Sequence, residues 1–232
     1  MLWVKRICTN YLKKKGRYLG RYPLAQYLSD LRIDCVLDVG ANVGQYGKEL
    51  RSIGYSGRIE SFEPLSAAHD KLSVISGKDN SWNAHQFALG AKNADLKINI
   101  GKSTATSSIL PISSELDSGF NNLDYVGVES IVVKPLDEIF GEISNGANQV
   151  FMKIDAQGYE GEILAGATSV LSQIKGMQIE VSLSRVYEGE ELVEDIVGHL
   201  RKHGLIPYWI INGFRNENTM QLFQADIIFI RE

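Results

Sequence analysis

With 44% hydrophobic residues, 22% charged residues and five prolines, the 232-residue chain has enough apolar side chain for a substantial core and no compositional sign of disorder. Its two cysteines, Cys8 and Cys35, have neither a CxxC spacing nor a His-rich neighbourhood, which argues against a disulfide framework or structural zinc site and for a reducing, cytoplasmic setting. The net charge of −4 is unevenly spread: residues 1–22 hold seven cations and no acid, leaving 17 of the 24 cations to face 28 acids, so the body of the chain is poorly suited to nucleic acid.

Residues 1–30 read as a basic helical extension able to touch an anionic membrane surface at its periphery, and residues 31–232 as one domain without repeats or linkers. No apolar run approaches the roughly 20 residues needed to cross a bilayer, and the start Met1-Leu2-Trp3-Val4-Lys5-Arg6 lacks the apolar centre of a signal peptide. Cys35–Val39 predicts a strand ending at Gly40, and the apolar spacing from Gln45 to Ile53 predicts a helix after it. Arg58–Phe62 predicts a second strand, halted by Glu63-Pro64, with a helix over 67–75. Residues 84–90, 95–100 and 130–133 predict three further strands. Gln149–Ile154 is an apolar run stopping at Asp155, followed by a predicted helix over 159–171 and a strand over 177–183. A helix over 190–203 then precedes two β-prone segments, 206–211 and 225–230, with no helix between them. The alternation calls for a mostly parallel sheet covered by helices on both faces, and the last two segments for an antiparallel closing hairpin.

Asp38-Val39-Gly40-Ala41-Asn42-Val43-Gly44 sits where strand gives way to helix, at the edge where open α/β sheets bind ligands. Gly40 can take the positive φ of a sharp turn, and Gly44 permits close packing or a close ligand. A dinucleotide fingerprint would carry a glycine in place of Asn42, so that pyrophosphate could lie on the backbone. Asn42 suits instead a nucleoside without phosphate, whose amino acid end can bond to Asp38, while Glu63, 23 positions after Gly40, is placed for both ribose hydroxyls. Lys153-Ile154-Asp155-Ala156-Gln157-Gly158-Tyr159-Glu160 lies at the same sheet edge, with Asp155 and Glu160 as candidate functional carboxylates or, equally in keeping with their positions, as a helix cap and a first-turn acid. His199 and His203 share a helical face at i, i+4, without a carboxylate motif beside them.

Val36–Gly44 (VLDVGANVG), Ser61–Pro64 (SFEP), Met152–Glu160 (MKIDAQGYE) and Ala225–Arg231 (ADIIFIR) resemble the FkbM-type family of class I methyltransferases, over about residues 34–231. The resemblance implies a Rossmann-like α/β fold with a seven-stranded, mostly parallel sheet, and S-adenosyl-L-methionine held by Asp38, Gly40, Asn42, Gly44, Glu63 and Pro64, with Asp155 near its methionine end. Ala156 departs from the family's usual valine or isoleucine, a change of packing volume, and Ser107-Ser108 is similar to a small-residue loop near the donor. O-methylation of a sugar, glycolipid or polyketide-type hydroxyl leads as the activity, since an alcohol needs a base or a metal to take its proton. Asp155, or Glu180 on the next strand, is the candidate base, and no ligand pattern indicates a divalent metal. The rival readings are an NAD(P)-dependent oxidoreductase and a non-catalytic protein that binds an adenosyl ligand.

Overall fold

The computed structural model describes residues 24–114, 116, 124–216 and 219–231; the basic segment 1–22 lies outside them. Seven strands form one sheet: β1 (Cys35–Val39), β2 (Arg58–Phe62), β3 (Trp82–His85), β7 (Val150–Ile154), β8 (Ile174–Ser182), β9 (Leu205–Asn212) and β10 (Gln224–Arg231). Their order is β3-β2-β1-β7-β8-β10-β9. Strands β1, β2, β3, β7 and β8 run parallel, and β10 is antiparallel to both β8 and β9. The parallel sheet with an antiparallel closing pair is therefore the class I methyltransferase arrangement that the motifs imply.

β1 and β7 are buried along their full length, as expected of central parallel strands covered on both faces. On one face, α1 (Leu24–Asp30), α2 (Gln45–Ser52) and α3 (Ser66–Ser76) bury Leu24, Leu28, Tyr46, Leu50 and Leu72 against Val36, Ile59 and Phe151. On the other, α4 (Leu136–Ser144), α5 (Glu160–Ala165) and α6 (Val193–Lys202) bury Phe140, Ile163, Leu164, Ile196 and Leu200 against Leu37, Met152, Ile179 and Phe229. Among the described residues no helix is long and apolar enough to cross a membrane.

Three expectations need correction, and one helix was not among them. The strand expected over 84–90 is two: β3 ends at His85 in the main sheet, and β4 (Ala88–Leu89) joins β5 (Ala94–Gly101) and β6 (Tyr125–Lys134) in a separate three-stranded sheet ordered β4-β6-β5. The short strand expected over 130–133 is the end of the ten-residue β6, whose alternating burial shows that one face is solvated. The helix expected over 159–171 stops at Ala165; the next residue, Gly166, presses on the Gly90 carbonyl, where a side chain would overlap backbone, and a 3₁₀ turn over Leu171–Gln173 follows. Helix α4, unassigned in the sequence reading, has its N-terminal cap at Pro135 and two acids, Asp137 and Glu138, in its first turn.

Candidate active site

A cavity of about 290 Å³ opens at the carboxyl ends of β1, β2 and β7. Its floor is the turn after β1, whose shape follows from three residues in left-handed backbone: Gly40 (φ +74°), Asn42 (φ +47°) and Gly44 (φ +81°). At Gly40 a Cβ would overlap the backbone carbonyl oxygen of Asp155, so the turn can approach the end of β7 only as glycine. Gly44 instead packs its missing side chain against Leu72 and Trp82 and does not line the cavity.

Glu63, just past β2, is 6% exposed and lines the cavity with Pro64. Its Oε2 accepts from the Asn42 N–H at 2.8 Å and its Oε1 from the Leu65 N–H at 2.9 Å. Burial pushes its carboxyl up to about 7, against the lowering effect of those two N–H groups. Each oxygen keeps a second acceptor position. Thr104, on the 3₁₀ turn Thr104–Thr106, donates from Oγ1 to Asn42 Oδ1 at 2.8 Å, drawing the small-residue loop anticipated around Ser107-Ser108 over the turn; Ser107 lines the cavity.

Asp38 is wholly buried beneath this floor and does not line the cavity. Its Oδ2 accepts from Ser61 Oγ at 3.1 Å, which accepts from Trp82 Nε1 at 2.9 Å. Its Oδ1 has no hydrogen bond and lies 3.7 Å from Lys153 Nζ. Burial raises the Asp38 carboxyl and the Lys153 ammonium lowers it in turn. For Lys153, burial works against the charge, but the carboxylates of Asp155 and Asp38 outweigh it and hold the ammonium above its ordinary range. Lys153 reaches Asp155 Oδ2 at 3.3 Å, donates to the Gly40 carbonyl at 3.4 Å, and lies 5.6 Å from the centre of the Tyr46 ring. Asp155 lines the cavity, with its side chain 37% exposed.

Glu180 stands one strand further along and does not line the cavity; Gln157 stands between it and Asp155, donating from Nε2 to both. Burial first, and the nearby Asp155, Glu160 and Asp226 next, raise the Glu180 carboxyl well above the ordinary range. Glu160 is buried, accepts from the Ala156 N–H at 2.7 Å, and is pushed by burial to about 7; it closes the strand-to-helix turn and is absent from the cavity lining. His199 and His203 stack at 5.0 Å on α6, away from the cavity.

The family model of the FkbM methyltransferase domain matches residues 38–206. The chain belongs to the FkbM methyltransferase family. A solved FkbM methyltransferase from Methylobacillus flagellatus KT superposes with a TM-score of 0.53 at 16% identity, covering 85% of this chain and 43% of that one. This FkbM chain thus spans less than half the length of that relative. TehB from Haemophilus influenzae superposes with a TM-score of 0.50 at 8% identity, covering 97% of this chain and 67% of that one. Fibrillarin from Aeropyrum pernix, solved with S-adenosyl-L-methionine bound, gives a TM-score of 0.48 at 12% identity over 85% of this chain and 66% of its own. No curated protein matches.

The motifs of this FkbM domain thus bring Gly40, Asn42, Glu63, Pro64 and Asp155 to one cavity and leave Asp38, Gly44 and Glu180 behind its wall. Residues given no role in the sequence analysis complete it: Lys153 and Asp226, which the motifs contain, and at the α2 side Tyr46 and Gln178, which they do not. Tyr46 Oη donates to Gln178 Oε1 at 3.3 Å, and Gln178 Nε2 donates to Asp226 Oδ1 at 3.0 Å. β10 brings Asp226 here, its register on β8 setting it opposite Glu180.

Proposed function

We propose that the FkbM domain takes S-adenosyl-L-methionine as methyl donor and methylates a hydroxyl of a sugar, glycolipid or polyketide-type acceptor. Glu63 carries this reading. It is a buried carboxylate fixed by two backbone N–H groups, with two free acceptor positions on a cavity whose floor lacks the glycine that a pyrophosphate needs at Asn42. That favours a phosphate-free nucleoside over NAD(P). Gly40, Asn42 and Pro64 shape the same wall, Gly44 sets the entry of α2, and Asp38 supports the floor through Lys153. The bound donor supplies an electrophilic methyl group on a good leaving group; the residues of the chain supply alignment and proton removal. Asp155, exposed to the cavity and anchored by Lys153 and Gln157, is the base, and Glu180 supports it from behind. The basic segment 1–22 belongs in this reading with acceptors carried on an anionic surface.

Calorimetry with S-adenosylhomocysteine, the spent donor, tests the assignment, with NAD as the competing ligand. Ribose hydroxyls donate only to acceptors, so binding favours ionised Glu63. Because the free carboxyl sits near 7, affinity should rise by about tenfold from pH 6 to pH 8, with proton release on binding. Glu63→Gln should lose that pH dependence and at least about tenfold in affinity. Asp155→Asn should keep spent-donor affinity and lose turnover in a screen with labelled donor against saccharides, glycolipids and macrolides. NAD binding without any response to the adenosyl ligand overturns the reading, and full turnover in Asp155→Asn removes the base.

A further inference from the structure

Gln157 occupies the least comfortable backbone in the site. It is not glycine, yet it holds φ +52°, a conformation that costs on the order of 1–3 kcal/mol for such a residue. Its side chain shows what that arrangement achieves. The carboxamide has two donors and one acceptor group, and every part of it is engaged: Nε2 donates to Asp155 Oδ1 at 2.8 Å and to Glu180 Oε2 at 2.9 Å, and Oε1 accepts from Tyr187 Oη at 2.7 Å. The Gln157 backbone carbonyl accepts from Ser108 Oγ at 2.6 Å. Gly158, with φ +94°, lets the same turn lie against the Tyr187 ring, where a Cβ would come within 2.8 Å of the ring.

One residue therefore ties the end of β7 to β8 and to both loops beside the cavity, the one carrying Ser108 and the one carrying Tyr187. Both oxygens of Asp155 are thereby held, Oδ2 by Lys153 and Oδ1 by Gln157, which leaves the carboxylate little freedom to turn away from the cavity it lines. The chemistry of the bridging group matters as much as its position. A carboxamide donates to two carboxyls at once and neither takes nor gives a proton in the ordinary pH range, so it separates them as water or a third carboxyl would not.

On the reading of Asp155 as the base, we propose that Gln157 is the positioning residue of the reaction, aiming the Asp155 carboxylate at the cavity and keeping Asp155 and Glu180 from sharing a proton. The other charged or titratable groups facing this pair are Lys153 on β7, Asp38 on β1, Asp226 on β10, Glu160 at the start of α5 and Tyr187, of which Tyr187 is bonded to Gln157 itself.

The test is a carboxyl-carbon NMR titration of Glu180 in the full chain, in the wild type, Gln157→Gly and Gln157→Glu. Glycine permits the left-handed backbone and removes the bridge together with the acceptor of Tyr187 Oη; glutamate puts a third acid in the gap and keeps an acceptor for Tyr187. Loss of a donor and direct contact with Asp155 both favour protonated Glu180, so its midpoint should rise by about one pH unit in each variant. Asp155→Asn added to Gln157→Gly should reverse that rise. In the wild type, both Gln157 side-chain amide proton signals should stand downfield, one moving in Asp155→Asn and the other following the Glu180 titration. A Glu180 midpoint unmoved in Gln157→Gly overturns the proposal; should that variant not fold, an unmoved midpoint in Gln157→Glu does the same. Failure of the wild type to bind S-adenosylhomocysteine would strike the donor reading instead, and leaves the titration to judge Gln157 by itself.

Discussion

At Gly40 the backbone takes φ +74°, and the space a Cβ would need is filled by the Asp155 carbonyl oxygen. Two independent penalties therefore meet at one position, left-handed strain and overlap with backbone that cannot rotate away. Gly40→Ala should cost about 2–4 kcal/mol in urea unfolding and separate the β1 turn from the end of β7. A loss below about 1 kcal/mol would mean that the two turns can part at little cost. Both members of this contact were legible in the sequence, because a glycine after a β-branched strand and an aspartate after another mark the two strand ends. The site's interior was less so. Lys153 reads as an ordinary strand residue, and only the register that sets Asp38 beside Lys153 and Lys153 beside Gln178 turns three polar residues on separate strands into one row.

The elements show the same division. Strong local signals survived: β1, α2 and β2 lie where β-branching, helical spacing and the Glu63-Pro64 stop put them. The single strand expected over 84–90 did not, since which sheet a strand joins is decided by partners elsewhere in the chain: β3 pairs with β2, whereas β4 pairs with the end of β6. α2 illustrates how closely a helix can be held. Gly47 lies against the Trp82 ring so tightly that a Cβ would overlap it, and Trp82 in turn donates to Ser61. Gly47→Ala has a favourable propensity change of about 1 kcal/mol, but must push an aromatic ring within a packed core, for about 1–3 kcal/mol. We expect net destabilisation in urea, with a changed Trp82 emission; a more stable variant would show that the ring yields freely.

Across the whole molecule, the carboxyl edge of the sheet concentrates acids that burial pushes upward: Asp38, Glu63, Glu160, Glu180 and Asp226. Between the ordinary carboxylate range and pH 7 the unfolded chain has released the protons that native Glu63 and Glu160 still hold, and the other three shifts act in the same direction, so stability falls as pH rises through that window. Glu63 and Glu160, both raised to about 7, contribute on the order of 1–3 kcal/mol each. Of the groups acting the other way, Asp79 and Glu188 act only at pH values below that window, whereas His199, lowered by burial, works against the fall inside it. The melting temperature should therefore drop by at least about 5 °C between pH 5 and pH 8 in the absence of ligand. A flat or rising melting curve would contradict burial as the controlling cause.

Among the described strands β9 pairs with β10 alone, and β10 lies between β9 and β8 although it follows both in the chain. While the chain is being synthesised, β9 accordingly has no strand to pair with in its native place until residues 224–231 have emerged and entered the gap, bringing Asp226 with them. Everything from β1 to β8 can associate earlier, yet the crevice gains its final wall only when that late insertion is complete, so a nascent or truncated chain would hold a half-built receptacle.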